Sequence, residues 1–355
     1  MKVVLAFDSF KGCMSADDAC RAASHGIFMS SPSTEVVPLP LSDGGEGLVD
    51  CVLKMIPVEK VICKAHSPLL VDMDASYAIS EDGTTAYMEM AATAGLTLVP
   101  PHKRNPLLTS TYGVGDMIAD AMQRGCSHII MGIGGSATCD GGRGMLDSLR
   151  DKRISFDSVP HITVACDVTN PLYGTNGAAY VFGPQKGATQ EQVIELDERL
   201  RDFARDLEKR GLATADMAAA PGAGAAGGLG YGLLACLHAT LKPGIDIILD
   251  IADFGAAIAD ADLVITGEGK SDAQTLMGKV PQGVLKRCMR HGIPCHLLSG
   301  AIENIDNLKA AGFASVSSIN TGDSRPVEKL MQRSVAMENM ENAVATFLTR
   351  NLLWI

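Results

Sequence analysis

The chain has 355 residues, enough for two domains with cores of their own at about 100–200 residues each. Hydrophobic residues make up 46%, aromatics only 5%, and 37 residues are glycine, which suits an α/β enzyme with many close turns better than an aromatic-rich sandwich. A net charge of −11 excludes a nucleic-acid backbone as the main partner, because phosphate tracking needs a basic surface.

Read from the amino terminus, "KVVLAF" is a short β-branched strand that ends at "DSFKG". A helix follows from the cap Ser15, with acids in its first turn. "TEVVPLPL" is a second strand, running into the acidic glycine loop "SDGGEG", and "EGLVDCVLKMI" reads as a helix. This β-loop-α-β-loop-α order predicts a parallel sheet, whose ligands bind at the carboxyl ends of its strands. Further on, "TTAYMEMAAT" is a strand running into a turn. "STYGVGDMIADAMQRGC" is a helix beginning near Gly115, and "SHIIMGIGGSATCDGG" a buried strand with a glycine loop. "ITVACDVTNPLYG" is a strand ending in Asp167. A long charged helix carries Val193, Leu196, Leu200, Phe203 and Leu207 on one face. "ADMAAAPGAGAAGGLGYG" is loop-like at its centre. "ADLVITGEGKSD", "IPCHLLSGAI" and "FASVSSIN" are late strands, and a helix from Pro326 closes the chain.

Ten scattered cysteines show no C-x-x-C spacing, which predicts reduced thiols in the cytoplasm. No targeting segment and no window of 18 or more apolar residues is visible, so no membrane partner is expected. The eight histidines show no paired metal spacing.

At least five strand-like runs end in Asp, Glu, Ser or Lys, four of them together with glycine: "FDSFKG", "LSDGGEG", "GIGGSATCDGG", "CDVTNP" and "ITGEGKSD". Glycine lets backbone N–H groups face an anion, and each carboxylate can hold Mg²⁺, take a proton or bond a hydroxyl. That combination is the logic of phosphoryl transfer. A P-loop, G-x-x-x-x-G-K-[ST], does not occur. "GAGAAG" and "GIGGSA" fit a dinucleotide fingerprint by letter, but one lacks a convincing strand before it and the other is broken by "TCDGG". Ser136 is not in G-x-S-x-G, so a hydrolase elbow is unsupported.

The segments "DSFKG", "PLSDGGEG", "GIGGSATCDGG", "CDVTNPL", "GAAGGLGYGL" and "TGEGKSDAQTLMGKVPQGV" resemble, in order, the signature segments of the bacterial glycerate kinase family of the class I type. The resemblance implies ATP- and Mg²⁺-dependent phosphorylation of D-glycerate, most often to 2-phosphoglycerate. It also implies a Rossmann-like parallel-sheet domain made from both chain ends, placed at 1–65 plus 290–355. An inserted α/β domain, placed at 66–289, follows with it, and catalysis in the cleft between the two. The chain departs from the family pattern at Cys139, at Leu48 and in a shortened stretch near 148–160.

Catalytic roles are expected for Lys11, Asp43, Asp167 and Lys270. Lys11 and Lys270 would neutralise phosphoryl charge, and Asp167 would take the hydroxyl proton. Asp8, Ser9, Ser42, Gly44, Gly45, Asn170 and Ser299 are expected to contact substrate. Gly134, Gly135, Ser136, Gly227, Gly228 and Gln274 are expected to face the nucleotide, and Asp140, Glu268 and Asp272 a metal ion. Blander readings stand beside these. Glu46 suits a helix cap, "DVTNP" an Asx-turn, and Gly227 and Gly228 close packing on a facing helix. Lys279 is a further candidate. Two other functions fit the same loops: a non-catalytic nucleotide or anion sensor, and an NAD-linked hydroxy-acid dehydrogenase.

Overall fold

The computed structural model describes residues 1–10, 12–42 and 47–351. Its strands are β1 (Lys2–Phe7), β2 (Glu35–Pro38), β3 (Val58–His66), β4 (Asp72–Ser80), β5 (Thr85–Glu89), β6 (His128–Gly132), β7 (His161–Ala165), β8 (Thr240–Lys242), β9 (Leu263–Gly267), β10 (Lys270–Ser271), β11 (Cys295–Ser299), β12 (Ala301–Ile302) and β13 (Ser315–Ser318). The chain divides into two compact units, Met1–Asp43 with Ile245–Ile355, and Gly44–Gly244.

The first unit carries a five-stranded sheet in the order β13-β11-β9-β1-β2, parallel throughout. Val3 to Phe7 are fully buried, as expected of a strand covered on both faces, and this is why β1 reads as an unbroken apolar run. Helix Ala16–Ser30 begins with a capping box: Ser15 Oγ accepts from Asp18 N, and the Asp18 carboxylate accepts from Ser15 N. This helix packs against helix Arg333–Asn351, burying Ala19, Ala23 and Ile27 with Met340, Val344 and Leu348. The two backbones approach closely, since a Cβ on Gly26 would sit 2.3 Å from the Glu341 carbonyl oxygen. Arg333 grips the Asp18 carboxylate with two N–H groups at 2.7 and 2.6 Å, tying one helix to the other.

The second unit carries a six-stranded sheet in the order β3-β4-β5-β6-β7-β8. β3, β4 and β5 pair antiparallel, and β5 to β8 pair parallel. In β3, Val61, Cys63 and Ala65 face the core while Lys60, Ile62 and Lys64 are exposed, the alternation of an antiparallel strand with one wet face. Helix Tyr112–Gln123 packs on β3 and against helix Arg143–Asp151, helix Gln190–Lys209 packs against helix Ala178–Phe182, and the expected apolar face of Gln190–Lys209 is buried. Residues 221–224 form turns, and helix Ala225–Leu237 opens on a left-handed turn at Ala226, Gly227 and Gly228, so the glycine-rich stretch is loop-like at its centre.

The unit boundaries fall at 43/44 and 244/245, where the sequence placed them at 65/66 and 289/290. The reason is strand pairing. β3 pairs along its whole length with β4 and so stays with the second unit. β9 pairs with β1 and β11, which draws residues after 245 into the first. The β3–β4 hairpin was not foreseen at all. Among the described residues no helix is long and apolar enough to cross a membrane.

Candidate active site

In the first unit the last β1–β9 pair is Phe7 with Gly267. The next residues along the two neighbouring strands are Asp8 and Glu268, and Asp8 N donates to the Gly267 carbonyl at 2.9 Å. Parallel pairing thus brings two carboxylates from opposite ends of the chain to one edge of the sheet. β11, on the other side of β9, ends in Ser299.

Glu268 is buried, 6% exposed. Its Oε1 accepts from Thr275 Oγ1 at 2.6 Å and from Ser271 Oγ at 3.2 Å, and its Oε2 lies 3.6 Å from Lys279 Nζ. Ser299 Oγ is 2.8 Å from Ser271 Oγ and accepts from Glu268 N at 3.4 Å, so Ser299 steadies the acid. Asp272 caps the next turn, accepting from Gln274 N at 2.8 Å. Lys270 is exposed and pairs with Glu303 at 2.9 Å, which raises its pKa. Asp8, Ser9, Glu268, Lys270 and Lys279 line one cavity of about 480 Å³, whose other wall is apolar and includes Phe10, Leu330 and Met331. Gln274 is exposed and is not among the residues lining it. Ser42 follows Leu41, whose N–H donates to the Phe7 carbonyl at 2.8 Å, so Ser42 also stands near the end of β1. Lys11, Asp43, Gly44 and Gly45, with Glu46, lie outside the described residues.

In the second unit the strands β5, β6 and β7 end in register at Glu89, Gly132 and Ala165. Beyond them Gly134, Gly135, Ser136, Asp167, Lys186 and Ala226 line a cavity of about 400 Å³. Gly135 has φ +69°, a conformation that glycine adopts without strain. The Asp167 carboxylate accepts from Gly244 N at 2.9 Å. Asn170 does not line this cavity. Its Nδ2 donates to the Asn176 carbonyl, and its own carbonyl accepts from Gly224 N, so it pins the loop after Asp167.

Asp140 differs from the metal ligand expected of it. Its Oδ2 accepts from Thr111 N, Thr111 Oγ1 and Gly144 N at 2.8–3.1 Å, and its Oδ1 from Gly142 N at 3.1 Å. Four donors occupy the carboxylate, and they fasten the glycine loop to the start of helix Arg143–Asp151. Gly227 and Gly228 are packing residues. A Cβ on Gly227 would stand 1.9 Å from the Thr138 carbonyl oxygen, and one on Gly228 2.7 Å from Leu172 Cδ1. Among the described residues no group of three His, Cys, Asp or Glu side chains is placed to hold a metal. The helix after Gly132 begins only at Arg143, so "GIGGSA" lacks the helix that a dinucleotide site requires.

Two residues of these sites escaped the sequence. Lys186 is 2% exposed, and its ammonium donates to Ser136 Oγ and to the Thr138 carbonyl. Burial pushes its pKa down to about 8. "GPQKG" looks like any surface turn, so nothing local marks that lysine. Glu89 accepts from Gly47 N at 2.7 Å and Leu48 N at 3.3 Å, holding the chain where it leaves the acidic glycine loop. Its only sequence signal was its place at the end of a strand.

A family model described as the glycerate kinase family matches residues 3–158 and 151–349. The two matches meet where the sequence is shorter than the resembled pattern. A glycerate kinase of Halalkalibacterium halodurans is 42% identical over 326 residues, covering 84% of this chain and 85% of its own. A glycerate 2-kinase of Escherichia coli is 39% identical over 350 residues, covering 90% and 91%. A crystal structure assigned to glycerate kinase 2 of Salmonella typhimurium superposes with a TM-score of 0.82 at 38% identity, covering 99% of each chain.

Proposed function

The chain belongs to the glycerate kinase family, and on that footing we propose that it transfers the γ-phosphoryl group of ATP to a hydroxyl of D-glycerate, giving 2-phosphoglycerate. The observation that carries this reading is the meeting of Asp8, Glu268, Lys270 and Lys279 around one cavity at the ends of β1 and β9. Phosphoryl transfer needs positioned oxygen ligands and cations more than covalent chemistry, and this cavity offers both beside an apolar wall. The position of transfer is supported by the Escherichia coli relative, which is named a glycerate 2-kinase.

Mg²⁺ fits the residues present. It takes oxygen ligands at few protein positions and completes its shell with phosphate oxygens and water. Asp8 and Glu268 supply two carboxylates to one cavity. When bound, the ion neutralises phosphate charge. Asp272 is better suited to shaping the turn that presents Glu268 than to ligating, since its carboxylate caps that turn. Lys270 and Lys279 offset the charge of the phosphoryl oxygens, and Lys11 joins them. Asp167 takes the proton of the attacking glycerate hydroxyl as the phosphorus–oxygen bond forms and ADP leaves. Ser9, Ser42, Asp43 and Gly44–Gly45 orient glycerate, while Gly134, Gly135 and Ser136 face phosphate. We assign the reaction to the cytoplasm, where cysteine thiols remain reduced.

Phosphorus NMR of the product from ATP, Mg²⁺ and D-glycerate tests the proposal. The resonance of 2-phosphoglycerate is expected. The 3-phosphate in its place refutes the position of transfer, and ADP release without any phosphoglycerate refutes the acceptor.

A further inference from the structure

Lys186 is a buried cation to which the proposed reaction gives no task. It sits in the turn Pro184–Lys186, between helices Ala178–Phe182 and Gln190–Lys209. Its ammonium meets Ser136 Oγ at 2.5 Å and the Thr138 carbonyl at 2.6 Å. Both acceptors are neutral, and an ammonium has three N–H donors. Among the described residues no carboxylate is within ion-pair distance of it. A buried charge without a counter-charge is costly, and proteins keep one where a ligand supplies the opposite charge.

A second observation points to the same ligand. The backbone N–H groups of Gly134, Gly135 and Ser136 donate to no acceptor among the described residues. The loop is not loose for that reason: the Gly135 carbonyl accepts from Leu96 N, and Ala137 N donates to the Ala94 carbonyl, both at 2.8 Å. Three consecutive unused donors, with Gly135 in the left-handed region, are the backbone of an anion-binding concavity. Gly134, Gly135, Ser136 and Lys186 line one cavity of about 400 Å³, room for a phosphate or a small acid.

We infer that Lys186 and the N–H groups of residues 134–136 form a receptor for an anionic oxygen group, phosphoryl or carboxylate, with Lys186 as its counter-charge. The inference rests on the kinase reading only for the source of that group, which is either the phosphate chain of the nucleotide or the carboxylate of glycerate. Ser136 Oγ and the Thr138 carbonyl aim the ammonium, so Lys186 binds the anion directly while its partners position it.

The test is calorimetric titration of inorganic phosphate, ADP and D-glycerate into the wild-type protein and into Lys186→Met, which keeps chain length and removes charge. Loss of a charge-assisted contact is expected to weaken binding by about tenfold or more. A loss confined to phosphate and ADP assigns the receptor to the nucleotide, and a loss confined to glycerate assigns it to the carboxylate. Unchanged affinities for all three overturn the inference, as does a wild-type protein that binds none of them. Should Lys186→Met not fold, Lys186→Gln keeps a donor for Ser136 and Thr138 and is read in the same way. No turnover is needed. A protein that binds phosphate through Lys186 yet makes no phosphoglycerate sinks the kinase reading and leaves the receptor standing, and the opposite pattern sinks the receptor alone.

Discussion

Gly227→Ala is expected to be among the most damaging single substitutions in the second unit. Gly227 has φ +70°, and an L-residue held in that region costs about 1–2 kcal/mol. The new methyl would also lie 1.9 Å from the Thr138 carbonyl oxygen and 2.7 Å from Cys139 Cα. These are backbone atoms, so relief requires moving the glycine loop, and forced overpacking adds about 1–3 kcal/mol. The Gly227 carbonyl also accepts from Gly141 N at 3.0 Å, so the same shift strains a second tie to that loop. The total, about 2–5 kcal/mol, lowers the melting temperature of a unit this size by roughly 10 °C. Gly125→Ala separates strain from collision. Gly125 has φ +91°, and a methyl added there would meet no atom within 4 Å, so only strain of about 1 kcal/mol applies. Scanning calorimetry of both variants reads the difference. If Gly227→Ala melts no lower than Gly125→Ala, the argument from close backbone approach is refuted.

Two other outcomes test the first unit. The Arg333 guanidinium beside Asp18 holds its carboxyl down to about 2, against the buried environment that pushes it up. A depressed folded-state pKa gives stability that is present above the ordinary carboxylate range and lost as pH falls through about 2. Asp18→Asn is therefore expected to cost about 1–2 kcal/mol at neutral pH, discounted for the exposed arginine. In urea titrations the gap from wild type should shrink at about pH 2.5, close to that folded-state value, and an equally wide gap there would count against the ion pair. Glu268→Gln keeps the volume of the buried acid but removes the charge facing Lys279. A fall in kcat of about 100-fold with little change in melting temperature is expected, and a kcat close to that of wild type would remove Glu268 from the site.

Much of this protein is written in short stretches of its sequence. β1, β6 and β9 are legible because strands covered on both faces must be apolar along their length. The cap at Ser15 is legible because a capping box spans only four residues. The acid- and glycine-bearing strand ends marked both cavities for the same reason, since "FDSFKG", "GIGGSA" and "ITGEGK" each hold strand and loop in one local run. Tertiary structure decided what depends on residues far apart in the chain. β3 and β4 went unread because an exposed Ile62 and the small core residues Ala65 and Ala75 blur their alternation, and only their pairing with each other along their whole length makes them strands. Asp140 reads as a ligand by its letter, yet Thr111 and the start of a helix claim its oxygens. Lys186 carries no mark in "GPQKG", because desolvation belongs to the elements packed around a side chain and not to its neighbours in sequence.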